Sequence, residues 1–99
     1  MPTGFALIAV GDHTTNSSLS SAATLTAPAG ADTLVIMAYS QAVRYRLDGG
    51  TPTASAGFQL AVNTLLEIPV EPLGVVTLIE VTATASVQYQ WCKQVRVQV

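Results

Sequence analysis

Apolar residues fall in short runs spaced about ten residues apart, each closed by Gly, Pro, Asn or Asp. No stretch keeps apolar positions three and four apart over successive turns, so helical periodicity is missing throughout. The runs are rich in Val, Ile, Leu, Thr and aromatic residues, which suit a pleated, half-buried surface. Strands are predicted at Phe5 to Val10, Ala22 to Thr26, Thr33 to Tyr39, Val43 to Leu47, Gly57 to Leu60, Thr64 to Val70, Val75 to Thr82, Val87 to Lys93 and Val95 to Val99. The expected fold is all-β: a compact antiparallel β-sandwich, Ig-like or jelly-roll-like, of about eight or nine short strands in one domain spanning 1–99.

Individual runs say more about position. Thr33-Leu34-Val35-Ile36-Met37-Ala38-Tyr39 is apolar on both faces and is expected at the centre of a sheet covered on both sides. Val95, Val97 and Val99 alternate with polar residues, as an edge or outer strand with one wet face does. Val43, Tyr45 and Leu47 point to one side of their strand and Arg44 and Arg46 to the other, and Asp48-Gly49 supplies the positive φ of a reversal. Gly11 to Ser18 is polar and aperiodic, which predicts a mobile or partner-contacting loop. Ala27 to Asp32 is a tight connector whose Pro28 and Gly30 suit a turn.

Composition changes the picture of the exterior. Charged residues make up 10% of the 99-residue chain and hydrophobic ones 49%, against about 25% charged in an ordinary soluble domain. The apolar runs exceed what one sandwich core needs, so part of the surface is expected to lie against copies of the chain, as a dimer or trimer, or against a larger partner. Net charge is −2, and the basic groups are Arg44, Arg46, Lys93, Arg96 and the single His13, too few to follow a row of phosphates. Direct nucleic-acid binding is not expected. The first apolar run, Phe5 to Val10, is far shorter than a membrane span of ~20 residues and has no basic flank like that of a secretory signal. Assembly inside a cell and no membrane contact are expected.

Candidate chemistry is sparse. Cys92, the single cysteine, follows Trp91 in a strand pattern, where a thiol is expected to be an inert core or interface residue rather than a nucleophile served by His13. The carboxylates Asp12, Asp32, Asp48, Glu67, Glu71 and Glu80 form no pair motif and read as turn, connector or strand-face residues. Asp12-His13 lacks a second cluster at ligand spacing, so neither a metal nor any cofactor is expected. Asn16-Ser17-Ser18 fits a glycosylation acceptor but has no secretory context. Arg44 and Arg46 share a strand face from which they can clamp a carboxylate of an adjoining subunit or keep that face wet. Tyr45, Tyr89 and Trp91 suit core, subunit contact or a sugar-stacking platform. The candidate partner-binding residues are therefore Asp12, His13, Asn16, Arg44, Arg46, Tyr89 and Trp91, and no catalytic residue is expected.

Ala27-Pro28-Ala29-Gly30-Ala31, a strand, Val43-Arg44-Tyr45-Arg46-Leu47-Asp48-Gly49, Pro52-Thr53-Ala54-Ser55, Gly57-Phe58-Gln59-Leu60 and a final Tyr89-Gln90-Trp91 occur in this order. The arrangement, from about Ser21 to Trp91, resembles small structural proteins of tailed bacteriophages, similar to capsid decoration (cement) proteins and other minor virion components. The resemblance implies a multimeric β-sandwich that binds the outer surface of the major capsid protein lattice and bridges its subunits, assembled in the host cytoplasm and located on the virion exterior. Leu47 stands where an acidic residue often precedes Asp-Gly in that pattern. Tyr45-Arg46-Leu47-Asp48-Gly49 with Pro52-Thr53 also looks like the Ig-like accessory domain of some chitinases and hexosaminidases, which implies a carbohydrate-binding module instead. A phage tail or head-tail connector component is a further alternative.

Overall fold

A computed structural model describes residues 3–71 and 74–98, with side chains over 6–71 and 74–95. Among these, the chain forms nine strands and no helix: β1 (Thr3–Ala9), β2 (Thr14–Asn16), β3 (Ala23–Thr26), β4 (Thr33–Tyr39), β5 (Val43–Arg46), β6 (Phe58–Leu60), β7 (Leu65–Pro69), β8 (Val75–Glu80) and β9 (Ser86–Gln98). Every strand pairing is antiparallel. One sheet runs β1-β9-β4-β7, with β2 also on β9, and the other runs β3-β8-β5-β6. The all-β sandwich expected from the spacing of the runs is what forms.

Alternation places the core between the sheets. Leu34, Ile36 and Ala38 of β4, Ile68 of β7, and Val87 and Trp91 of β9 meet Leu25 of β3, Val43 of β5, Leu60 of β6, and Val76 and Leu78 of β8. Leu19, wholly buried, enters from the connection before β3, and its carbonyl accepts the Glu80 N–H at 3.0 Å.

Three sequence expectations change. β4 is an interior strand as expected, paired with β9 and β7, but its second face is only partly covered: Val35, Met37 and Tyr39 stay half-buried. The segment expected as a mobile loop contains β2, which pairs Thr14, Thr15 and Asn16 with Tyr89, Gln88 and Val87. Backbone hydrogen bonding needs no apolar side chain, so a short polar strand can form beside an existing one. The two strands expected from Val87 onward are one strand of 13 residues, with no turn between them. Its neighbours change along its length: β4 pairs through Cys92, and β1 pairs from Cys92 to Gln98. Beyond Cys92 the terminal stretch has β1 on one side and no strand on the other among the described residues, the edge position expected of it, and Val99 of the expected final strand lies outside the described residues.

At 13 residues β9 is about 44 Å long, while the molecule measures 47 × 25 × 22 Å. Beyond Cys92, β9 and β1 continue as a two-stranded ribbon past the end of β4. At the junction the Asp32 carboxylate accepts the Gln94 N–H at 2.9 Å and the Thr33 hydroxyl at 3.0 Å. It thereby satisfies the first β9 donor that β4 leaves unpaired.

Candidate functional site

The β5–β6 hairpin encloses a long connection, residues 47–57, which two arginines hold in place. Arg44 Nε donates to Ala54 O at 3.0 Å and its Nη1 to Gly57 O at 2.9 Å. Arg46 forks onto Asp48, with Nε to Oδ1 at 3.0 Å and Nη2 to Oδ2 at 2.5 Å, while Nη1 reaches Thr51 O at 3.4 Å. Asp48 Oδ1 also accepts the Gly50 N–H at 3.0 Å, and Gly49 takes φ 80°, the reversal expected of Asp-Gly. A Cβ on Gly50 would lie 2.5 Å from Arg46 Cζ, so the glycine leaves room for the guanidinium over the turn. From β8, the buried Thr77 donates its hydroxyl to Gly50 O at 2.6 Å. The Arg46 hydrogen bond and then the Gly50 N–H hold the Asp48 carboxyl below the usual carboxylate range, and Asp48 in turn raises Arg46.

This bracing presents an apolar surface. Phe58, on the short β6 edge, is 64% exposed, and its ring lies 5.7 Å from Tyr45, tilted by 44°. Exposed Leu47 stands nearby, and Arg46, Leu47, Asp48, Gly57 and Phe58 line an open groove of about 580 Å³. The residue types are an aromatic anchor, an aliphatic neighbour and a rim ion pair, which is how protein docking patches are composed.

The other candidates lie elsewhere. His13 Nε2 sits 2.9 Å from Gln88 Oε1, and Asn16 Oδ1 accepts the Ser18 N–H at 2.8 Å; both belong to the β2 segment on β9, with exposed Asp12 just before it. Arg44 and Arg46, for which a clamp on an adjoining subunit and a wet strand face were the alternatives, instead donate to their own loop as an intrachain brace. Trp91 is only 7% exposed and Tyr89 packs partly buried against the core, which makes Trp91 a core residue and not a surface contact. Tyr45 belongs to the opposite sheet from Tyr89 and Trp91, so the three rings make no common platform.

Burial, followed by the nearby Glu67 and Asp32 charges, pushes the Cys92 thiol up, away from nucleophilic thiolate. His13, tied to Gln88, is about 13 Å along β9 from Cys92, too far to serve it. Among the described residues no three of His, Cys, Asp and Glu cluster as metal ligands. Phe58 and Leu47 were missed as candidates because Phe58 and Leu60 alternate like core residues. The available signal was Gly57 and the turn-rich stretch before it, which mark a short edge strand.

Comparison of the chain with protein-family models, with curated proteins and with solved structures finds no match.

Proposed function

We propose that the protein is a non-catalytic assembly component that docks an apolar face on a lattice of other protein subunits. The lattice favoured by the sequence resemblance is the outer surface of a tailed-phage head, with the major capsid protein as partner. The observation that carries the reading is Phe58: a ring 64% exposed, braced by Tyr45 and flanked by exposed Leu47. The loop beside it is already fixed by Arg44, Arg46 and Thr77. A pre-ordered anchor loses little conformational freedom on docking, so more of its burial appears as affinity. Capsid binding on the virion exterior is a mechanical role, and it needs many weak, identical contacts rather than a reactive group.

Co-sedimentation with purified expanded phage heads tests this. The native protein is expected to pellet with the heads, and Phe58→Ser to lose about tenfold or more in retention at unchanged melting temperature. Retention on chitin, with none on heads, would replace this reading by the carbohydrate-binding one.

A further inference from the structure

The sheet β1-β9-β4-β7 has two open margins, β1 and β7, and their backbone groups are oriented by the bonds already made. Val10 N–H donates to Trp91 O at 2.8 Å, so alternate residues of β1 turn toward β9, while Thr3, Phe5, Leu7 and Ala9 direct N–H and C=O outward. Val70 N–H donates to Asp32 O at 2.8 Å, so Leu66 and Ile68 turn toward β4, while Leu65, Glu67 and Pro69 direct theirs outward. Pro69, which has no N–H, occupies an outward position where no ladder bond of its own sheet is lost. Among the described residues no strand pairs with either margin. β1 carries none of the usual edge protection: it has seven residues, no charge and no proline.

Charge separates the margins. β1 and β9 contain Lys93 and Arg96 and no carboxylate; Asp32, Glu67 and Glu71 lie on or beside β7 with no cation between them. We propose that the chain associates head to tail with copies of itself, β1 of one copy adding antiparallel to β7 of the next. Strand directions permit this, because β1 and β7 run opposite ways in the sheet and a neighbour laid alongside continues the alternation. The register with Phe5 opposite Glu67 sets Thr3 opposite Pro69 and Leu7 opposite Leu65. All are outward-directed positions, and together they supply about five backbone hydrogen bonds. It covers two of the exposed large apolar residues, Leu7 at 40% and Leu65 at 58%, with one another. It also brings Arg96, the β9 partner of Phe5, onto the same register line as Glu67 of the neighbour. A two-fold β1-to-β1 contact would instead set the Lys93 and Arg96 pairs of both copies astride one seam. A heterologous contact closes as a ring of three or more copies or propagates as a filament. It stands on strand edges and charge, independently of capsid binding.

Sedimentation velocity of the full chain over about a hundredfold concentration range is expected to show association that weakens as salt rises. Glu67→Lys is expected to weaken it about tenfold, and adding Arg96→Glu to restore most of the loss. Leu7→Cys and Leu65→Cys, each exposed and each checked for a native melt, locate the seam. An intermolecular disulfide is expected when the two variants are mixed and oxidised, and in neither alone. A cross-link in Leu7→Cys alone would establish the two-fold contact and overturn the proposal, as would a monomer at every concentration.

Discussion

Trp91 shows how a single side chain is assigned by its surroundings. An aromatic residue on an alternating strand suits a core or a contact surface equally, and the 7% exposure decides for the core. Trp91→Ala is expected to lower stability by about 3–5 kcal/mol, read from chemical denaturation. Asp48 lies at the other extreme, exposed and bonded to Arg46 and Gly50. Its pKa is lowered in the folded chain, so the stability it contributes is fully present above the ordinary carboxylate value near 4 and is lost as pH falls through the folded value. Proton NMR should show Gly49 and Gly50 amides shifting in that acid window in the native protein and not in Asp48→Asn. An exposed pair contributes little to global stability, so the melting temperature should hardly separate the two.

At the scale of elements, legibility followed how much of a strand's signal resides in its side chains. Thr33–Tyr39 was read to the residue, since a run without breakers that includes Thr33, Val35, Ile36 and Tyr39 lies between turn residues. β5, β6, β7 and β8 were placed within two residues at each end for the same reason. β2 was invisible because Thr14, Thr15 and Asn16 are ordered by backbone bonds to β9, which no local pattern encodes. The division of β9 failed because its change of neighbours at Cys92 is a tertiary fact. The hairpin loop was legible as turn-rich, but its ordering by arginines was not: a strand face bearing two guanidiniums looks the same whether they meet solvent, a partner or their own loop. Gly57 is the element's weak point, with φ 127° and space for a Cβ only 3.1 Å from Tyr45 O. Gly57→Ala is expected to destabilise by about 1–3 kcal/mol and to raise amide exchange across residues 51–57 before the sheets open. Unchanged exchange there would show that the loop does not depend on this glycine.

Over the whole molecule, the two strands nearest the chain ends pair with each other and reach beyond the sandwich. Among the described residues, no β1 side chain belongs to the buried core, which draws on β3 to β9 and on the connections holding Leu19, Ala27, Ala31 and Ala85. A two-stranded ribbon is marginal by itself in water, so β1 should be stabilised by the body more than it stabilises the body. Through residues 87–92, β9 keeps β4 on one side and, to Tyr89, β2 on the other, so its core portion does not need β1. A chain lacking residues 1–8 is therefore expected to unfold in one cooperative transition, less stable by no more than about 2 kcal/mol, or some 10 °C in melting temperature. If β1 also carries the intermolecular seam, that chain should stay monomeric at concentrations where the full chain associates. Loss of the cooperative transition would instead make the ribbon part of the folding core, with pairing of the chain ends as the step that closes the sheet.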